Sequence, residues 1–357
     1  MNEQIASIIT KIKPYFIGLL QEDPESVGLT VWDEELGDRA SCCTVGQAAC
    51  LFALDGLLHG GDGYAIAEKL AANVESRQLP NGAFGQPFYV KKGEPQTVDI
   101  AEIGAIANSL YHVHRITGSE PAKRSLLLAA DYLLTQVAAE NPGAVYKRPD
   151  AKGHDVLNGD MYAAHAWGRA YELSGNEVYL RRLEATFRHL ADRFGRNSPG
   201  WWPYTEYWDG TVGMGNSVSY QATIVAFGAS SVKHLQPELA RRWTRIAEAA
   251  TLTMLEAMKR EPDDDNEAPW WCRDWASVWE ICLAYVQFPD IPEAETYVTE
   301  RLRAVNERLA GEGLGLFQSK VKTDDPERSP VTTTFRKAAG FAATVSYLIL
   351  DRMAMEE

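Results

Sequence analysis

The stretch His154-Asp155-Val156-Leu157-Asn158-Gly159-Asp160-Met161-Tyr162-Ala163-Ala164-His165-Ala166-Trp167-Gly168-Arg169-Ala170-Tyr171-Glu172-Leu173-Ser174-Gly175-Asn176 decides the fold. A polar loop ends at Asn158 or Asp160, both good N-caps, and a helix follows with small residues over much of its surface. Ser174-Gly175-Asn176 then stops the helix and starts the next one. A helix this small on its surface is built for close contact on both sides. The polar cluster at its start marks an end that faces something open. The stretch reads as one inner helix of a closed helical ring, with its N-terminal end at a ligand-binding rim.

Outward from this helix the same grammar repeats. Helical periodicity and Gly/Pro punctuation predict helices at roughly 2–21, 41–58, 63–77, 98–116, 120–139, 159–174, 177–194, 216–232, 236–260, 271–287, 292–311 and 334–355. Short connections such as Gly60-Gly61-Asp62 and Thr117-Gly118-Ser119 alternate with long ones. Six helices open after long loops, near 41, 98, 158, 216, 271 and 333, at spacings of 57, 60, 58, 55 and 62 residues. A recurrence of that length signifies a repeated αα-hairpin. Its first helix is apolar and rich in small residues. Its second is amphipathic, as in Arg181-Arg182-Leu183-Glu184-Ala185-Thr186-Phe187-Arg188-His189-Leu190. An open array needs polar end caps; six near-equal hairpins plus a first helix left to pair with the last fit closure better. The expected fold is all-α, an (α/α)6 toroid forming a single domain over residues 1–357.

Composition narrows the function classes. A chain of 357 residues with 45% hydrophobic residues supports a sizeable core, and a net charge of −14 argues against nucleic-acid and anionic-membrane partners. Five cysteines, at 42, 43, 50, 272 and 282, show no CxxC spacing and fit a reducing compartment. The first twenty residues lack a signal peptide's uninterrupted apolar core, and no run of about 18 apolar residues is evident. The expectation is a soluble cytoplasmic protein.

The long loops and the first turns after them carry the chemistry-bearing residues. Seven of the ten tryptophans fall there, namely Trp32, Trp201, Trp202, Trp208, Trp270, Trp271 and Trp275, joined by Tyr89, Tyr146, Tyr162, Tyr204, Tyr207 and Tyr220. Aromatic faces stack on the apolar C–H faces of sugars, whose hydroxyls need polar partners. Such partners are interspersed: Asp33, Glu34, Asp99, Glu102, Asn158, Asp160, Glu206, Asp209, Asn216, Gln221, Arg273 and Asp274. Any single Trp reads better as core. The set reads as an oligosaccharide cleft, with Trp201, Trp202, Tyr204, Glu206, Asn216, Tyr220, Gln221, Trp271 and Arg273 binding substrate.

Asp99 and Asp160 open helices in adjacent hairpins and are the candidate acid/base pair. Either is also a natural N-cap or first-turn acid. His154 precedes an inner helix and is a candidate base. Arg273 or Lys147 is suited to a substrate carboxylate. The acidic run Asp263-Asp264-Asp265-Asn266-Glu267 has a metal-binding look, but it sits in a Pro-flanked loop and reads as solvated. No metal or cofactor is called for.

Three segments carry a resemblance. Val98 to Gly104, Arg115 to Glu120 and Ala129 to Leu133 resemble the first catalytic hairpin of the unsaturated uronyl hydrolases, where an Asp opens an inner helix ending in a TGD-like turn. The next hairpin implies Asp160 as the second catalytic carboxylate. The family's Trp-x-Arg-Gly is replaced here by Val212-Gly213-Met214-Gly215. Leu157-Asn158-Gly159-Asp160-Met161-Tyr162 is also similar to the LNGxMY-like stretch of glucuronyl C5-epimerases and to the NxxMH-like stretch of N-acylglucosamine epimerases. These likenesses imply a carbohydrate-active toroid enzyme. In the first version it hydrolyses a uronate-containing oligosaccharide, unsaturated or not, through Asp160 and Asp99, with Asn158, Tyr162 and His154 near the chemistry. In the second it is a uronate lyase or C5-epimerase that moves the C5 proton with Tyr162, Tyr204, Tyr220 or His154. A terpenoid-cyclase-like toroid and a non-catalytic glycan binder complete the alternatives.

Overall fold

Helices α1 (Asn2–Ile17), α2 (Cys42–His59), α3 (Gly63–Arg77), α4 (Ile100–Thr117), α5 (Glu120–Leu134), α6 (Leu157–Ser174), α7 (Glu177–Arg193), α8 (Val218–Ala229), α9 (Pro237–Met258), α10 (Trp279–Tyr285), α11 (Pro292–Glu312) and α12 (Thr334–Glu356) account for most of the chain. They come from a computed structural model that describes residues 1–88, 90–91, 94–259, 279–318 and 332–356. The order is the expected one, several ends differ, and the expected start of α10 at 271 lies outside the described residues. α1 stops at Ile17 because Leu20–Glu22 (β1) pairs antiparallel with Leu29–Asp33 (β2), which also pairs with Asp38–Arg39 (β3). Gly85–Gln86 (β4) pairs with Thr97–Val98 (β5). His154–Val156 (β6), Pro203–Tyr207 (β7) and Val212–Asn216 (β8) form a third small sheet in the order β6-β7-β8. Alternating residues in Leu29-Thr30-Val31-Trp32-Asp33 and Pro203-Tyr204-Thr205-Glu206-Tyr207 supply the period-2 pattern of these strands. The long loops thus hold sheet where irregular chain was expected.

Contacts group the chain into two compact units. The first comprises the described residues of 1–129 and 299–357 together with Trp279. Here α2 is buried along nearly its whole length, as its small and apolar residues require, and α12 packs against it. α1 pairs with α12, as expected of the first and last helices, with Phe16 and Phe335 ring centroids 5.1 Å apart. The α2–α3 turn is tight enough to need glycine: a Cβ on Gly63 would stand 2.6 Å from Phe52 O and 2.7 Å from Gly56 N. A polar layer joins α4 to α12, with His112 Nε2 2.7 Å from Asp351 Oδ1 and Asn108 Nδ2 donating to the same carboxylate. By length and composition α2 could cross a membrane; 78% of it is buried inside the protein, the mark of a core helix.

The second unit comprises the described residues of 130–273 and 280–298. α6 is buried over most of its length between α7 and α8, and Trp167 Nε1 donates to Ala130 O at 3.1 Å. Gly175, in the left-handed region at φ 66°, ends α6, and Asn176 caps α7 through Val178 N. α7 is strongly amphipathic: Leu183, Thr186, Phe187, His189 and Leu190 are buried while Arg181, Arg188 and Asp192 are exposed.

Candidate functional site

The candidate site lies where β6, β7, the start of α6 and the start of α8 meet in the second unit. β6 pairs antiparallel with β7, which sets Asp155 opposite Glu206 and His154 opposite Tyr207. Strand alternation sends the two pairs to opposite faces. Asp155 and Glu206 turn inward toward α7, whose His189 and Arg193 are four residues apart and share a face. The first turn of α6 adds Asp160 to the same cluster.

His189 Nε2 lies 2.8 Å from Asp155 Oδ2 and 3.3 Å from Asp160 Oδ2. Asp160 has no exposed surface, and its Oδ1 accepts from Val145 N at 2.8 Å. Burial, and next the Asp155 charge, push the Asp160 pKa well above the ordinary carboxylate value, against the pull of His189 and the Val145 N–H. Glu206 is likewise raised by burial, opposed by Arg193, whose Nη1 is 3.3 Å from Oε1. For His189, burial weighs against the imidazolium, but the two carboxylates outweigh it and raise its pKa. Asn141 imposes a separate constraint. Its Oδ1 accepts from Gly143 N, so its Nδ2 faces His189 Nδ1 at 3.0 Å. A hydrogen on Nδ1 therefore requires the amide to turn over.

A second group is more accessible. The rings of Tyr204 on β7 and Tyr220 on α8 stack with centroids 4.1 Å apart and planes 20° from parallel. Lys147 Nζ donates to Tyr204 Oη at 3.3 Å. All three side chains are half-buried, as is Tyr162, whose ring tilts against Phe227 at 5.3 Å. Ser217 caps α8 through Tyr220 N and thereby fixes where Tyr220 leaves the backbone. The group presents aromatic faces, phenolic hydroxyls and one ammonium.

Several residues expected to bind substrate have other employment. Trp202 is 2% exposed: its Nε1 donates to Leu190 O at 2.7 Å and its ring packs on Phe194 and Trp243. Trp201 is buried too. These rings are core, because the turn before β7 directs them inward. Gln221 is a structural clamp, accepting from Trp202 N and donating to Gly200 O and Ala250 O. Glu206 is buried against Arg193. Asn216 is half-buried at the end of β8 and donates to Ser198 Oγ. His154 sits edge-on to Tyr207, on the face of the sheet away from Asp155, and does not join the buried cluster. Asn158 is in the first turn of α6, and its Oδ1 finds no donor among the described residues. In the first unit Asp99 caps α4, accepting from Ala101 N at 2.9 Å, the N-cap role its sequence position also allowed. Trp271, Arg273, Tyr89, Trp270, Trp275, Asp274 and the acidic run 263–267 lie outside the described residues.

His189 was not singled out from sequence, nor was Asp155 given a role with it. The available signal was a histidine falling beside the apolar stripe of an otherwise charged helix, where a solvated residue would be expected on the opposite face.

No family model matches this chain, and no curated protein matches it. Solved structures do. A cellobiose 2-epimerase of Bacillus thermoamylovorans B4167 is 12% identical, superposes with a TM-score of 0.67, and the match covers 96% of this chain and 98% of that one. A D-mannose isomerase is 12% identical at a TM-score of 0.63, with 97% of each chain covered. An unsaturated glucuronyl hydrolase of Bacillus sp. GL1, responsible for the degradation of glycosaminoglycan, is 16% identical at a TM-score of 0.59, covering 98% of this chain and 97% of that one. These neighbours are (α/α)6 toroid carbohydrate enzymes, and the chain has that fold.

Proposed function

We propose that this protein is a carbohydrate-active enzyme, a single toroid domain over residues 1–357, that moves a ring proton of a uronate-containing oligosaccharide by tyrosine chemistry, as an epimerase or a β-eliminating lyase. The observation that carries this reading is the Lys147–Tyr204–Tyr220 group: an ammonium 3.3 Å from one phenolic oxygen, with the second ring stacked on the first. Removing the C5 proton of a uronate builds negative charge on its carboxylate, and a nearby ammonium stabilises that charge. A phenol or phenolate in hydrogen-bond reach of C5 is a competent proton carrier. Asn158 and Tyr162, from the first two turns of α6, would contact the sugar from a second element. The likeness to epimerase, isomerase and hydrolase toroids supports a sugar substrate and leaves the reaction to the site.

The carboxylate-pair hydrolase is the weaker reading, because Asp160 is enclosed by protein and its oxygens face Val145 N and His189. A general acid has to reach the atom it protonates.

The test is incubation with uronate oligosaccharides in deuterated water, followed by NMR and by ultraviolet absorbance. Deuterium entering the ring with chain length unchanged is the expected epimerase result, and a rising C4–C5 double-bond absorbance the expected lyase result. Consumption of an unsaturated disaccharide with loss of that absorbance, abolished by Asp99→Asn and indifferent to Tyr204→Phe, would overturn the proposal in favour of hydrolysis.

A further inference from the structure

The buried cluster of Asp155, Asp160 and His189 has too many acceptors for the donors around it. Among the described residues, Asp155 Oδ1, Asp160 Oδ2 and both carboxylate oxygens of Glu206 receive no hydrogen bond, although all three residues are buried. Unpaired buried carboxylate oxygens are costly, and native proteins leave few of them. Neighbouring donors do not fill the need. Nε2 of His189 carries at most one hydrogen in either charge state; it serves Asp155 Oδ2 at 2.8 Å and leaves Asp160 Oδ2 unserved at 3.3 Å. Arg193 reaches Glu206 alone in this group.

We infer that Asp155, Asp160 and His189 form a binding site for one divalent transition cation such as Zn2+ or Mn2+. One ligand atom from each residue lies within 4.8 Å of the others, and all three residues are buried. Metal–ligand bonds of about 2.0–2.2 Å place neighbouring ligand atoms about 3.0–3.6 Å apart in tetrahedral or octahedral sites. Nε2 already stands 2.8 Å from one carboxylate oxygen and 3.3 Å from the other, so these two edges are within a few tenths of an ångström of that range. Two carboxylates with one imidazole are a donor set that borderline divalent ions accept, and two negative charges match one dication. The ligands come from β6, the first turn of α6 and α7, so the ion would tie α7 to the β6–α6 junction. In the loaded site Nε2 holds the ion and the ring's hydrogen is on Nδ1, so the Asn141 amide must present its oxygen. That arrangement is the usual outer-shell support of a metal-bound histidine.

The requirement at Asn141 makes the site testable beyond simple deletion. The full chain is treated with EDTA, freed of chelator, and titrated by calorimetry and thermal unfolding with ZnCl2 and, separately, MnCl2. One equivalent is expected to bind and raise the unfolding temperature. His189→Gln and Asp160→Asn are expected to weaken binding by about tenfold or more, the scale on which ligand shells act. Asn141→Asp is expected to tighten it, because one oxygen can keep Gly143 N–H while the other accepts from Nδ1–H. That variant retains every ligand and keeps the test informative where a ligand variant does not fold. No binding of either ion to the wild-type chain at about 1 mM, roughly the weak end of useful affinity, would overturn the assignment. So would stoichiometric binding that none of the three variants alters.

Discussion

Tyr204 and Tyr220 lie face to face, ring centroids 4.1 Å apart, with the Lys147 ammonium 3.3 Å from the Tyr204 hydroxyl. The pair joins β7 to the first turn of α8, so the backbone of two elements holds the phenols in place and neither depends on loop conformation alone. If these phenols carry the proton, Tyr204→Phe and Tyr220→Phe should each lower kcat on the active uronate substrate by about 10²–10⁴, the range for a lost acid or base. Lys147→Met should act mainly on KM if it holds the carboxylate in the ground state, and on kcat if it stabilises the enolate. Steady-state kinetics of the three variants with circular dichroism as a folding control decides between these.

Trp202 should behave as core. Trp202→Ala removes the Leu190 hydrogen bond and the contacts with Phe194 and Trp243, and is expected to destabilise by about 3–5 kcal/mol. Trp202→Phe should cost less and leave KM for the saccharide unchanged. A large rise in KM at full stability would return Trp202 to the binding surface.

Asp33 sets a pH dependence in the first unit. It is buried, and burial raises its pKa above the ordinary 3.8 even though Thr333 Oγ1 donates to it at 2.5 Å. The folded state therefore keeps this proton to higher pH than the unfolded chain does. Stability from this residue is present below pH 3.8 and is lost as pH rises through the elevated folded pKa. Urea midpoints of wild type and Asp33→Asn, compared between about pH 4 and about pH 7, should show a decline in wild type that the variant lacks. Parallel curves would refute it.

Gly63→Ala tests the α2–α3 turn. The added methyl would meet backbone atoms of Phe52 and Gly56, which cannot swing aside as a side-chain tip can. Overpacking of this kind costs about 1–3 kcal/mol, read as a lower urea midpoint. An unchanged midpoint would mean that the turn relaxes freely.

Sequence alone determined the helix count, order and hairpin period, because each depends on local signals. Alternation of core and charge along α7, the Gly118 and Gly175 stops, and small residues along α2 and α6 act over one or two turns of chain. The same locality made Asp99 and Asn176 readable as caps. Only the tertiary structure decided which polar residues meet. Asp155 faces His189 because antiparallel pairing of β6 with β7 sets its register, and His189 lies 34 positions further along the chain. Tyr204 meets Tyr220 for a similar reason, a strand and a helix start converging. The direction of Trp202, aromatic-rich loop or not, was settled by packing against Trp243 and Leu190. Side-chain composition says what a residue can do, whereas direction and partnership come from long-range burial, which no short window of sequence encodes.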